Sequence, residues 1–355
     1  MRLASIFSEA IRNLLTGTSK AGLFALVLAI IGVALAAIDL TAITGQQARA
    51  RVFDGAGASI RVLAVEQGVD PVACDALTLN PAITASGALA SATAITLSAA
   101  PRNPITAYTA TTGLAAVLGV TSQADGVWIS EDLATTLGVR TGSVLPTTTG
   151  LLTIAGTYAW PDDGRDARLA YAIISPTPTN GDFSECWART WPLTTAADDL
   201  IRAAAVSTAG SGEALNIAQL NNSYGAVYDA YADYQNRATR YAWVGTAVAA
   251  FVLGFTAARR RRLEYASALH AGQSRTAQIA GVAIETLTWA GVAAILSIGA
   301  THALAAWFAT DDAILLAEIQ LTGPLTAIVT ATVGAVIGAA LTRETHLFRY
   351  FKERN

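Results

Sequence analysis

Apolar residues along this chain gather into four blocks, and the longest polar interval between them, residues 41–240, falls between the first and the second. Ala21–Ile38 and Tyr241–Ala258 each run for 18 residues without a charge, and Gly323–Thr342 runs for 20. Ala277–Phe308 runs for 32 residues with a single carboxylate, Glu285. A bilayer core of about 30 Å takes roughly 20 helical residues, so each block is long enough to cross it. The third would measure about 48 Å at 1.5 Å per residue, and must tilt or protrude past one face. Ahead of the first block, Leu3, Ile6, Phe7, Ala10, Ile11, Leu14 and Leu15 recur at helical spacing on one face. That pattern predicts an amphipathic helix lying along a leaflet. A cleaved signal peptide is the competing reading of the first block, because VALAA has an Ala-x-Ala pattern. The apolar run exceeds the usual 7–15 residues, and its leader has helical periodicity, so a retained span is favoured.

Charge orients these spans. Residues 1–20 carry Arg2, Arg12 and Lys20; residues 259–276 carry five arginines; the tail carries Arg343, Arg349, Lys352 and Arg354. The loop 309–322 has no basic residue but holds Asp311, Asp312 and Glu318. The positive-inside rule then places both termini and the arginine loop in the cytoplasm, with residues 41–240 outside. The expected organisation is an amphipathic helix (1–20), span 1 (21–40), an extracytoplasmic domain (41–220), and a stalk with span 2 (221–258). After these come a cytoplasmic loop (259–276), span 3 (277–308), a short outer loop (309–322), span 4 (323–342) and a cytoplasmic tail (343–355). The overall composition agrees, at 53% apolar and 14% charged against roughly 25% charged in an average soluble domain.

Within the large domain, Ser59–Val65, Ala94–Ser98, Thr153–Tyr158 and Leu169–Ile174 read as strands, and Ser130–Leu137 as a helix ending at Gly138. Thr- and Gly-rich stretches at 81–93 and 205–213 read as loops. The fold class is therefore an α-helical membrane protein with four transmembrane helices and an α+β domain inserted between the first two. The only cysteines, Cys74 and Cys186, both fall in that domain. An even count in an oxidising compartment favours one disulfide over two buried thiols. Tyr224, Tyr228, Tyr231 and Tyr234, continued by Ala238 and Tyr241, recur every three or four residues towards the second span. They predict a stalk helix continuous with it, or a stripe packed into the domain's own core.

Familiar catalytic chemistry is missing. Neither lysine, Lys20 or Lys352, lies in a glycine-rich phosphate loop, and the three histidines are far apart in sequence. There is no nucleophile elbow. Asp162, Asp163 and Asp166 around Gly164 miss the EF-hand spacing and read as an exposed turn. Glu285 lies about 12 Å from the cytoplasmic start of its helix. It reads either as an anchor at headgroup level, in reach of Arg259–Arg262, or as an intramembrane functional group.

Three stretches resemble the FtsX-like/MacB-type permease family of ABC transporters, the mechanotransmission class also called type VII. Glu9–Leu40 is similar to the family's amphipathic elbow and first span. Gly126–Pro146 (GVWISEDLATTLGVRTGSVLP) is similar to an element of its outer domain. Arg259–Glu285 is similar to its coupling segment, although His270-Ala271-Gly272-Gln273-Ser274 replaces a clearer family core. The resemblance implies a non-enzymatic permease that works as a dimer with itself or a paralogous chain, in a bacterial plasma membrane. ATP and Mg would be bound by a separate ATPase subunit on the cytoplasmic side; an extracytoplasmic accessory protein and lipids are further partners, and nucleic acid is not. Leu263, Glu264, Tyr265, Ala268, Leu269 and Gly272 would form the ATPase-coupling element, with Arg259, Arg260, Arg261 and Arg262 at the lipid headgroups. Without the resemblance, that helix could equally lie on lipid. The expected function is export or extraction of an amphipathic peptide, drug or lipid-linked molecule. A non-transporting mechanotransmitter acting on a cell-wall hydrolase is the alternative, and a receptor without a motor is a third.

Overall fold

The computed structural model describes residues 3–121, 125–191, 193, 195–206, 215, 217–225, 228–308 and 312–352. Arg2, Asp311, Arg354 and most of the 205–213 stretch lie outside the described residues. The chain starts with helices α1 (Leu3–Leu15) and α2 (Ala21–Gly55). A domain of mixed sheet follows, with strands β1 (Ile60–Val69), β2 (Ile83–Ile95), β3 (Ile105–Ala110), β4 (Val127–Ser130), β5 (Val144–Thr147), β6 (Gly150–Tyr158), β7 (Ala172–Pro176), β8 (Phe183–Thr190) and β9 (Ile217–Gln219). Its short helices are α3 (Pro71–Ala76), α4 (Leu114–Leu118), α5 (Glu131–Leu137) and α6 (Thr195–Arg202). The chain then forms α7 (Ala230–Asn236), α8 (Ala242–Arg260), α9 (Arg262–His270), α10 (Arg275–Phe308), α11 (Ala313–Ile319), α12 (Thr322–Ala340) and α13 (Leu347–Lys352). Two compact units result: Met1–Gln47 with Ala232–Asn355, and Ala48–Tyr231.

Among the described residues, four stretches are long and apolar enough to cross a membrane: Ala21–Gly55, Ala230–Arg260, Arg275–Phe308 and Ala313–Ala340. Several boundaries differ from the sequence reading. The first helix runs on to Gly55, fifteen residues beyond the expected end of the span, because nothing between Leu40 and Gly55 breaks it. The expected short loop at 309–322 contains α11, and the tail folds into α13.

Helices α8 and α12 form the tightest pair. A Cβ on Gly254 would sit 1.9 Å from the Ala331 carbonyl oxygen, and one on Gly334 would sit 2.2 Å from that of Phe251. Gly338 repeats the contact one turn further on, 2.9 Å from the Phe255 carbonyl oxygen. Small residues spaced by four let helices meet backbone to backbone, where lipid supplies no hydrophobic drive for association.

The sheet domain orders its nine strands β5-β6-β4-β7-β3-β2-β8-β1-β9. Alternation along β8 places Trp187 in one core, with Leu89, Leu114, Tyr158 and Trp160, and Cys186 with Ala188 in another, with Leu63, Ile83, Phe183 and Ile201. Helix α5 has the caps its sequence calls for. The Ser130 hydroxyl accepts from the Leu133 amide at 3.3 Å, and Gly138 takes left-handed backbone at φ 67°.

The stretch 81–93, expected to be a loop, is from Ile83 onward the strand β2 near the middle of the sheet. Its small residues are required by packing: a Cβ on Gly87 would lie 2.2 Å from the Leu114 amide nitrogen. Composition read as flexibility was close approach instead. The 169–174 stretch begins as a 3-10 turn at Ala167–Leu169, and its strand starts only at Ala172.

Cys74 and Cys186 form a disulfide that ties α3 to β8. Closing a loop of this size is worth about 4–5 kcal/mol in the chain-entropy model. Replacing both cysteines with serine is expected to lower the domain's stability by about 2–4 kcal/mol, read as a drop in its melting temperature. Unchanged melting after full replacement would show that the bond adds nothing.

The tyrosine stripe does not form one helix. Tyr224 lies in a 3-10 turn that ends at Gly225 (φ 88°), and Tyr228 stacks on Phe53 with ring centroids 4.9 Å apart, beside Trp191. Tyr231 and Tyr234 fall on α7, which stops at Asn236 because Arg237 takes extended backbone (φ −59°, ψ 133°). The regular spacing of the rings therefore records three separate environments. The helix that runs unbroken beyond its apolar block is instead α2, which reaches Gly55.

Candidate functional site: the junction beneath the helices

Arg261 sits between α8 and α9, where the backbone leaves helical geometry for one residue (φ −98°, ψ 13°). Its Nη1 donates to Glu285 Oε2 at 2.5 Å, and its Nε donates to Glu264 Oε2 at 2.7 Å. From α1, Asn13 Nδ2 donates to the other oxygen of Glu285 at 2.7 Å. The side chains of Arg261 and Glu285 are only 12% and 10% exposed. One carboxylate on α10 thus ties together the amphipathic helix, the α8–α9 corner and a membrane-spanning helix. The Arg261 guanidinium also covers the Tyr265 ring, with Cζ 5.2 Å from its centroid.

Burial sets the ionisation of this group. Desolvation pushes the Tyr265 hydroxyl well above its ordinary pKa, an effect larger than the opposing field of Arg261. For Arg261, desolvation acts downward, and the fields and hydrogen bonds of Tyr265, Glu285 and Glu264 outweigh it. The arginine therefore stays charged, as a partner for Glu285 must.

The sequence-based coupling element divides in two. Tyr265 and Ala266 are buried against the bundle, Tyr265 in a cluster with Ala258, Val282, Ala335 and Ala339. Tyr265 is thus removed from the outward face assigned to it, because its ring fills the gap between α9 and the bases of α10 and α12. Ala268 lines a cavity of about 180 Å³ with Glu9, Asn13, Gln278 and Glu285, and so also turns inward. Leu263 and Leu269 are half-buried, while Glu264, Ser267, His270, Ala271 and Gly272 are exposed. Gly272 closes α9 with left-handed backbone at φ 93°, which disfavours any side chain.

The four arginines expected at the headgroups do not share one environment either. Arg260 is exposed and Arg259 half-buried, but Arg261 is enclosed by its carboxylate partners. The Arg262 guanidinium lies over the ring of Tyr350 on α13, 5.0 Å from its centroid. The tail is fastened to α9 a second time by His270 Nδ1 and Glu344 Oε1, 2.8 Å apart. Helix α1 splits its apolar face in the same way: Ile6 and Ala10 are buried, whereas Phe7, Ile11 and Leu15 are exposed.

Asn13 and Tyr350 were not evident as site residues. A lone Asn on an amphipathic helix carries no local signal, and its partner lies 272 positions away. A second polar cluster also went unmarked. Asp39 on α2 accepts from Arg237 Nε at 2.9 Å and from Gln320 Nε2 at 2.7 Å. A carboxylate placed one residue beyond an uncharged run of 18 was a signal available in the sequence.

No protein-family model matches the sequence, and no curated protein matches it. Solved structures of isolated domains do show a likeness. The periplasmic region of MacB from Actinobacillus actinomycetemcomitans shares 12% identity, over 42% of this chain and 85% of that one, with a TM-score of 0.32. The extracellular domain of the noncanonic ABC-type transporter YknZ from Gram-positive bacteria shares 14% identity, over 41% and 87%, with a TM-score of 0.28. A domain of a Porphyromonas gingivalis protein described as a permease shares 17% identity, over 42% and 82%, with a TM-score of 0.31.

Proposed function

We propose that this chain is the permease subunit of an FtsX-like/MacB-type ABC transporter, driven by a separate ATPase at helix α9. The observation that carries this reading is the Arg261–Glu285–Asn13 junction. A helix that only connected two spans would need no such fastening. Here a push on α9 is delivered at once to α8, α10 and α1 through short, charge-assisted bonds. The basic residues at 1–20, 259–276 and 343–355 support a cytoplasmic side for this end of the bundle and an outer side for the sheet domain, in a plasma membrane. The outer surface of α9, from half-buried Leu263 and exposed Glu264 (which also accepts from Arg261) through Ser267 to Ala271 and Gly272, is the surface offered to the ATPase, which holds ATP and Mg. Helix α2, unbroken for 35 residues, carries movement outward as a rigid rod. The work extracts or exports an amphipathic peptide, drug or lipid-linked molecule, and the permease pairs with a second copy or a paralogue.

A second reading keeps the motor and moves no solute, the sheet domain acting instead on an outer protein partner. Exposed Val144 and Leu151 on the edge hairpin β5–β6 favour it, because such side chains suit contact with another protein.

Ser267 tests the docking face, since it is exposed and, among the described residues, its hydroxyl bonds only the Glu264 carbonyl in its own helix. Ser267→Trp is expected to weaken ATPase binding about tenfold or more with no change in the permease's melting temperature. Unaltered binding and unaltered stimulation of ATP hydrolysis would remove α9 as the docking element.

A further inference from the structure

The Asp39 cluster lies at the opposite end of the helical unit from the junction, and nothing in the proposed docking uses it. Asp39 is 4% exposed and is held by two segments: Arg237, between α7 and α8, donates to both its oxygens, and Gln320, between α11 and α12, donates to Oδ2. Arg237 is also the residue at which the returning helix breaks. Its guanidinium lies 4.1 Å from the Tyr234 ring centroid, and its Nη1 donates to the Tyr234 carbonyl at 2.8 Å. One side chain therefore spans the break and reaches across to α2.

The way the helices pack determines which of them can move. Helices α8 and α12 touch backbone to backbone and behave as one body. Helix α2 is held by side chains: Phe24 on Trp289 at 5.7 Å, Leu35 against Gly245, and the Ser297 hydroxyl on the Ala29 carbonyl. Beside the cluster, a cavity of about 230 Å³ lined by Arg237, Thr239, Arg240, Trp243 and Gln320 gives a swinging guanidinium room. We infer that Asp39, Arg237 and Gln320 form a latch that fastens α2 to the α8–α12 body across the helix break, and that it opens and closes as α2 moves.

The latch does not depend on the permease reading, and its test needs no ATPase. Hydrogen exchange is followed on the full chain in lipid nanodiscs, comparing residues 230–241 with α12. Asp39→Asn keeps the shape and removes the charge. It is expected to speed exchange at 230–241 by about tenfold while 325–338 stays protected. Gln320→Ala, which leaves the ion pair in place, is expected to give a smaller rise in the same segment. Unchanged exchange at 230–241 in both variants would overturn the latch. An equal rise across all the spans would also overturn it, making the cluster a general stabiliser.

Discussion

Placing valine at Gly334 should unfold the helical unit or separate α8 from α12, at a cost of about 3 kcal/mol or more. A Cβ there would lie 2.2 Å from the Phe251 carbonyl oxygen and 3.1 Å from the Phe255 amide nitrogen, and backbone atoms cannot rotate away as a side chain can. The helices would have to part, losing the close contacts that stand in for hydrophobic drive within a bilayer. Gly291, on α10, has nothing within 4 Å of its would-be Cβ and supplies the control. Thermal melting in detergent should show a large loss for Gly334→Val and little change for Gly291→Val. Equal melting of the two would mean that the contact carries no weight.

Arg261→Ala should have the second large effect. It leaves Glu285 buried with only Asn13 as a partner, and stranding one member of a buried ion pair costs about 3–5 kcal/mol. Stability and work transfer can then be separated. Replacing Arg261 and Glu285 together with methionine removes the stranded charge, and such apolar exchanges are often neutral or stabilising by about 1–4 kcal/mol. The double variant should therefore melt near the parent temperature, yet still lose coupling, because the bond from the α8–α9 corner to α10 is gone. Full coupling in the double variant would show that Glu285 serves stability alone.

The membrane architecture was legible because spans are written in local, uninterrupted apolar runs. The cap signals at Ser130 and Gly138 were local as well, and the structure has the helix between them where expected. Misreadings arose where one local pattern stands for two physical situations. The small residues of 81–93 fit both a loop and a crowded central strand, and only the approach of Gly113-Leu114 separates the two. The tyrosine period fitted a helix, but Gly225 and Arg237 interrupt the backbone that would have carried it. Long-range partners were beyond reach. Glu285 stood out as a lone intramembrane carboxylate, whereas Asn13 and Gln320 are ordinary polar residues until the fold brings them to Glu285 and Asp39. The same limit explains why the arginine loop was read as four equivalent anchors, when one of its guanidiniums is a buried structural partner.

The central expectation is that α9 receives work from a separate nucleotide-hydrolysing chain. Its most direct test is purification of the intact complex from the native membrane in mild detergent, with every bound chain identified by mass spectrometry and its ratio measured. The expected result is a P-loop ATPase in equal number with this chain, lost when Ser267 is replaced with tryptophan. A complex without any nucleotide-hydrolysing chain, or an ATPase retained in full by that variant, would contradict it.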